Sequence, residues 1–239
     1  MIAAGAVIQA RMLSTRLPGK VMRLVQGMPM ILHVVRRVRC ARRVGEVVVA
    51  TTTDPSDDGM AGVLEAAGVR VFRGSMHDVL DRYYQAARHF DMAHVVRITA
   101  DCPLIDGAVI DQVIGAYEGS GADYASNVLQ RTFPDGQDVE VFSAAALERS
   151  WRAACQPRER EHVTVHIRQH PEIFRLLNVV NGQDWGRKRW TLDHAEDLSL
   201  IEAVMDHFLP EGKPFGMRDI AAFLEQHPEL EALNSHHIK

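Results

Sequence analysis

Over the first 117 residues, short apolar runs rich in β-branched residues alternate with segments of helical periodicity. The runs fall at 6–8, 47–53, 69–72 and 94–99, and each reads as a strand, the second as a buried one. Between the first two, Ile31, Val34, Val35 and Val38 recur at the spacing of a helix packed on a sheet, and Gly45 is placed at its end. Asp54, Pro55, Asp57 and Asp58 make an acidic opening for a second helix, so these carboxylates read as caps. Ser75 and Asp78 form a capping-box pair ahead of a helix that runs to about His89. Beyond residue 117 the pattern is less regular. Strands are predicted at 122–128 and 138–142 with a loop at 130–136 between them, and Ser143 opens a helix reaching about Cys155. A charged cluster at 157–162 precedes a helix carrying Val163 and Ile167. The stretch 188–192 is strand-like, Leu198, Ile201, Val204 and Met205 mark a helix face, and 217–233 reads as a peripheral helix pair broken at Pro228.

Strands alternating with helices predict an α/β domain with a largely parallel sheet. Ligands of such sheets bind outside the carboxyl ends of the strands. The loop after the first strand and Asp101 after the fourth fall on that edge, which puts them in one site although about ninety residues separate them.

The loop, QARMLSTRLPGK at 9–20, carries Arg11, Arg16 and Lys20 beside the hydroxyls of Ser14 and Thr15 and a Pro18-Gly19 turn. Triphosphate oxygens need donors and positive charge held at fixed angles, and this composition supplies both. No Asp or Glu precedes Glu46, so the first 45 residues carry +9 against −13 for the remainder. Part of that excess, Arg36, Arg37, Arg39, Arg42 and Arg43, reads as a solvated helix face. Two familiar phosphate motifs do not fit. Ser14 stands where a Walker A loop has its first glycine and Val21 where it has its hydroxyl, and G-x-G-x-x-G is absent. The alternative reading of the loop is a plain basic surface segment.

At 239 residues with 46% hydrophobic and 24% charged content, the chain is long enough for one sizeable core. A net charge of −4 argues against bulk nucleic-acid binding. Cys40, Cys102 and Cys155 have neither metal spacing nor even number, which argues against zinc and disulfides. Apolar runs fall short of the roughly 20 residues that span a bilayer, and the expected location is the cytoplasm with no membrane partner. Asp101 and Asp193 each admit two readings, a magnesium ligand or a turn and cap residue. No repeat, linker or low-complexity tract is present.

QARMLSTRLPGK resembles the signature of the sugar-activating cytidylyltransferases, the group containing the acylneuraminate and 3-deoxy-manno-octulosonate enzymes, and is most similar to the spore-coat polysaccharide synthesis branch. VVVATTT at 47–53, FRGS at 72–75, DVLDRYYQAA at 78–87, VVRITADCPLID at 95–106, FPDGQDVEVF at 133–142, REHV at 160–163 and RWTLDHAEDL at 189–198 fit in the same order. One departure is Leu13, where the family usually has glycine.

The resemblance implies a single domain over 1–239 with a three-layer α/β/α, Rossmann-like nucleotide-diphospho-sugar transferase fold and a mostly parallel mixed sheet. It implies transfer of CMP from CTP to a sugar acid, with pyrophosphate released. On that reading Arg11, Arg16 and Lys20 hold the triphosphate, and Asp101 and Asp193 hold Mg²⁺. Gln9, Ala10, Ser14, Thr15, Thr52, Arg73, Ser75, Asp81, Arg82 and Thr99 contribute nucleotide contacts. The stretch 130–175 forms the sugar side and the contact of a homodimer, with Asp135, Asp138, Glu140, Arg160 and His162 facing the sugar. Asp81 and Arg82 admit a second reading as a helix-surface ion pair. Two other functional classes stay open: a glycosyltransferase, although the D-x-D motif is missing because Cys102-Pro103 follows Asp101, and a catalytically silent nucleotide-binding subunit.

Overall fold

In the computed structural model, which describes residues 4–210, 212 and 214–238, the elements follow in the order β1 (Ala4–Gln9), β2 (Leu24–Val25), β3 (Met28–Pro29), α1 (Met30–Val38), β4 (Val44–Thr52), α2 (Asp58–Ala66), β5 (Arg70–Gly74), α3 (Val79–His89), β6 (His94–Thr99) and α4 (Gly107–Tyr117). They continue with β7 (Tyr124–Ser126), β8 (Glu140–Ser143), α5 (Ala144–Ala153), α6 (Pro157–Glu161), α7 (Val165–Gln169), β9 (Leu176–Asn178), α8 (Ala195–Phe208), α9 (Met217–Gln226) and α10 (Pro228–Ala232). Seven strands form one sheet in the order β5-β4-β1-β6-β8-β7-β9, and β2 with β3 makes a separate small hairpin. β5, β4, β1 and β6 run parallel, whereas β8 is antiparallel to both β6 and β7. Gln9 therefore lies level with Ala50 on one side and Thr99 on the other, which brings the carboxyl ends of β1, β4 and β6 to one edge.

Side-chain alternation along the strands feeds two cores. Ala6 and Ile8 of β1 pack with α1, α4 and α8 on one face, and Val7 packs with α3 and α5 on the other. That gives the three-layer α/β/α arrangement expected from the sequence. No helix among the described residues is long and apolar enough to cross a membrane.

Several local expectations are corrected. Gly45 lies inside β4, and α1 ends at Val38. The cap of α3 is Asp78, whose carboxylate accepts from the Asp81 nitrogen at 2.8 Å, while Ser75 accepts from the Asp78 nitrogen at 3.0 Å. β9, which extends the sheet beyond β7, was not foreseen, because the sequence around Leu176–Asn178 has no marked alternation. The strand-like stretch 188–192 makes only a single bridge, between Arg189 and Asp135. Its backbone is instead pinned to neighbouring loops: the Asp135 nitrogen donates to the Lys188 carbonyl at 2.9 Å and the Trp190 nitrogen to the Asp135 carbonyl at 2.6 Å.

This close approach depends on Gly136. Its φ is +107°, and a Cβ there would lie 2.7 Å from the Trp190 carbonyl carbon and 2.8 Å from the Thr191 nitrogen. Backbone, not a flexible side chain, is what it would meet. Gly136→Ala is expected to destabilise the protein by at least about 2 kcal/mol, through the strained φ and the displaced 188–192 segment. Urea unfolding of the variant checks this.

Candidate active site

The loop leaving β1 is held in place by a residue from the next strand's end. Asp57 is almost fully buried; its Oδ2 accepts from the Thr51 hydroxyl at 2.8 Å, the Thr52 nitrogen at 3.1 Å and the Thr52 hydroxyl at 2.5 Å, and its Oδ1 accepts from the Met12 nitrogen at 2.7 Å. The residue read as a cap is thus the tie between β4 and the loop. Gly19, at φ +68°, turns the chain so that its nitrogen donates to the Met12 carbonyl at 3.2 Å, and a 3₁₀ turn, Lys20–Met22, follows.

That turn delivers Lys20, only 9% exposed, to a position between two carboxylates. Its ammonium donates to the Leu192 carbonyl at 2.6 Å, to Asp193 Oδ1 at 2.8 Å and to Asp101 Oδ2 at 3.3 Å. Arg16 lies 3.1 Å from Asp193 Oδ2. The loops carrying the two aspartates are themselves joined, the Leu192 nitrogen donating to the Asp101 carbonyl at 2.8 Å and the Thr191 hydroxyl to the same oxygen at 3.0 Å. Neither aspartate is a cap: Asp106 caps α4 and His194 occupies the cap position of α8. Burial raises the Asp193 carboxyl, but Lys20, Arg16 and Arg189 more than offset it and hold the group below the ordinary aspartate range.

Behind these loops stands Asp197, fully buried. It accepts from Arg189 Nε at 2.9 Å and Nη2 at 2.8 Å, from the Asp193 and His194 nitrogens at 2.9 and 2.8 Å, and from Asn234 Nδ2 at 2.8 Å. Burial works against its ionised form, and the Arg189 fork with the three N–H donors overrides that and lowers its pKa. On the other side of the site, Arg37 was read as part of a solvated helix face. It instead reaches under the loop after β6, donating to the Ile105 carbonyl at 2.7 Å and the Leu104 carbonyl at 3.3 Å, and burial lowers its pKa to about 10.

A cleft of about 630 Å³ opens over this edge, lined by Gln9, Ala10, Arg11, Ser14, Thr15, Arg16, Lys20, Arg82, Thr99, Asp101, His162 and Asp193 among others. Arg11 is exposed and makes no ion pair among the described residues. Arg82 is 2% exposed; its Nη1 donates to the Ser75 carbonyl at 2.6 Å, its Nε has no partner, and no carboxylate among the described residues pairs with it. Burial lowers its pKa. A buried guanidinium without a counter-ion, facing a cleft, is a site for an anion. Leu13, at the family's usual glycine position, is exposed at the rim of the same cleft. His162 reaches it from an unusual turn, because the following buried Val163 sits at φ +33°, a region costly for a β-branched residue.

A second cleft of about 340 Å³ shares Arg16, Thr99, Asp101 and Asp193 with the first and adds Asp135, Asp138 and Arg189. Asp138 receives both Arg131 nitrogens, at 2.6 and 2.8 Å, and Asp135 receives Arg189 at 3.1 Å. The Asp135 carboxyl is pushed up, by burial first and then by Asp138.

The remaining residues singled out in the sequence line neither cleft. Thr52 is engaged by Asp57, and Arg73 donates to the Thr52 carbonyl at 2.8 Å and to Asp58 at 2.6 Å. Ser75 supports Asp78, while Asp81 accepts from Trp151 Nε1 at 2.9 Å rather than pairing with Arg82. Glu140 pairs with Arg97 at 2.9 Å within the sheet, and Arg160 pairs with Asp78. Asp57, Asp197, Arg37 and Arg189 were missed as site-building residues. Only Asp197 left a sequence trace, three positions after a cap as in a capping box.

Asp193 and Asp197 both have depressed pKa values, so they stabilise the fold above the unfolded-state aspartate value of about 3.9, and that contribution is lost as pH falls below it. Asp197→Asn is expected to cost about 3–5 kcal/mol at pH 7, the scale for stranding one member of a buried pair. It is also expected to flatten the loss of stability as pH falls below the unfolded-state aspartate value; thermal unfolding from pH 7 into the acid range measures both effects.

The sequence model of the cytidylyltransferase family matches residues 5–227. The chain is 35% identical over 205 residues to the spore coat polysaccharide biosynthesis protein SpsF of Bacillus subtilis, covering 83% of this chain and 84% of that protein. It is 33% identical to the 3-deoxy-manno-octulosonate cytidylyltransferase of Anaeromyxobacter sp. strain K, covering 82% and 87%. Among solved structures, a cytidylyltransferase from Leptospira borgpetersenii serovar Hardjo-bovis superposes with a TM-score of 0.90 at 31% identity, covering 96% of this chain and 97% of that one, and shares its Rossmann-like nucleotidyltransferase fold.

Proposed function

The chain belongs to the cytidylyltransferase family, and on that premise we propose that it transfers the cytidylyl group of CTP to a hydroxyl of a sugar acid, giving a CMP-sugar and pyrophosphate for surface polysaccharide synthesis. The observation that carries the reading is the convergence of Arg11, Arg16, Lys20 and Arg82 with Asp101 and Asp193 in one cleft at the carboxyl edge of the sheet.

In the proposed reaction the sugar hydroxyl gives up its proton to solvent and its oxygen bonds to the α-phosphorus of CTP, while the bond to the α–β bridging oxygen breaks and pyrophosphate leaves. Negative charge grows on the bridging and non-bridging oxygens, so the protein's work is positioning and charge stabilisation. Arg11 and Arg82 carry no carboxylate partner among the described residues and are free to take phosphate oxygens. Lys20 and Arg16, already beside Asp193, are within reach of the same anion and keep the carboxylates of Asp101 and Asp193 together. The donor set suits Mg²⁺, which takes one or two carboxylates along with phosphate oxygens and water. Asp101 Oδ1 has the Cys102 thiol, at 3.8 Å, as its only hydrogen-bond partner among the described residues. Asp101 and Asp193 would hold the ion, which when bound neutralises phosphate charge and lowers the pKa of the attacking hydroxyl. The second cleft, with the Asp135 and Asp138 carboxylates as acceptors for hydroxyls, takes the sugar.

Lys20→Ala and Asp101→Asn are each expected to lower turnover by at least about 10²-fold, the scale for losing a preorganised electrostatic group. Pyrophosphate release from CTP with a sugar acid measures it. Near-normal turnover in folded Asp101→Asn protein removes the metal assignment.

A further inference from the structure

The second cleft has a wall that no motif or periodicity points to. Its lining includes His194, next to Asp193, and His237, from a 3₁₀ turn at Ser235–His237. The preceding stretch, 217–233, reads as a peripheral helix pair, yet it and the turn that follows are fastened to the site by three separate contacts. Lys188 Nζ pairs with Glu231 at 2.7 Å, which ties α10 to the 188–192 segment. Asn234, 2% exposed, donates through Nδ2 to the Arg189 carbonyl at 3.1 Å and to Asp197 Oδ1 at 2.8 Å, so one buried carboxylate holds Arg189, the Asp193 backbone and the turn together. The His237 ring then stacks on His194 at 3.8 Å with 9° between the planes, and its Nε2 lies 3.5 Å from Glu196 Oε2.

The ring geometry separates two uses of this cluster. His194, Glu196 and His237 offer ligand atoms within 4.8 Å of one another. An ion bound by both imidazoles has to lie close to both ring planes, and near-parallel planes 3.8 Å apart share no such point. Stacked rings do supply a flat, partly apolar wall with N–H groups at its edge, in the same cleft as the acceptor oxygens of Asp135 and Asp138. A sugar has the matching chemistry, C–H faces and hydroxyl rims.

Resting on the cytidylyltransferase reading, we propose that the 234–238 turn forms the outer wall of the sugar pocket, with His237, set by its stack on His194, as a residue that determines which sugar is accepted. Asn234 is the positioning residue that holds this wall against the site.

Two measurements on His237→Ala test the proposal. Pyrophosphate release is followed with CTP and either 3-deoxy-manno-octulosonate or N-acetylneuraminate as probe. The expected result is a KM for the sugar raised about tenfold, or a reversed preference between the two sugars, with the KM for CTP within twofold of wild type. An unchanged sugar KM and preference overturns the proposal. Should neither sugar turn over, alkylation of Cys102 by iodoacetamide decides. This thiol is 2% exposed and lines the same cleft, while the exposed Cys40 and Cys155 serve as internal references. Faster labelling of Cys102 alone, in His237→Ala and in Asn234→Ala, is expected; equal labelling overturns the wall. Failure of the cytidylyltransferase reading has a different signature, a wild-type protein that CTP does not stabilise.

Discussion

One ammonium group ties together the two halves of this site. Lys20 comes from the loop after β1, Asp101 from the loop after β6, and Asp193 from the entry to α8, and among the described residues the only side chain within hydrogen-bond distance of both aspartates is Lys20. Two carboxylates facing one cleft repel each other, and a cation between them removes that penalty. The Leu192 carbonyl, at 2.6 Å, gives the ammonium a third acceptor and fixes its place. The same arrangement leaves Arg11 and Arg82 as the cations of the first cleft with no carboxylate of their own among the described residues. The proposed division of labour follows from this: Lys20 and Arg16 organise the acidic pair beside the anion, and Arg11 and Arg82 face it with no counter-ion of their own among the described residues.

A layer of groups that line neither of these two clefts holds these residues in register. Asp57 locks the phosphate-side loop to β4 through Met12, and Arg37 supports the turn after Asp101 from below. Asp197 gathers Arg189, the Asp193 and His194 backbone and Asn234 around one carboxylate. Asp57 and Asp197 are buried and Arg37 is half-buried, and each is engaged by fixed donors or acceptors, the condition under which a buried ion is tolerable. Rigidity at the cleft is the consequence, because a shift in any one loop would strand a charge in the interior.

Much of the frame was legible in the sequence. The β-branched runs at 47–53 and 94–99 became β4 and β6, the loop at 9–20 and both aspartates came to one edge, and the parallel order followed from strand–helix alternation. What was not legible has a common cause. Met12 for Asp57, Phe215 for Arg37 and Asp197 for Asn234 are partners between 37 and 178 positions away, and periodicity carries no information about such pairs. The 188–192 segment has the composition of a strand, but Gly136 lets another loop dock against it, and tertiary contact overrode local preference. Arg73, Asp81, Glu140 and Arg160 matched sites by motif position, whereas their side chains are spent on neighbours inside the fold.

The central claim is that a CTP–Mg²⁺ complex is the ligand that these cations and carboxylates jointly receive. Its most direct test is thermal unfolding in the presence of CTP, UTP, GTP or ATP, each with and without Mg²⁺, since a ligand that binds the folded state raises its apparent stability. The account predicts selective stabilisation by CTP that depends on Mg²⁺. A flat response to all four nucleotides, or a preference for nucleotide sugars over CTP, would contradict it.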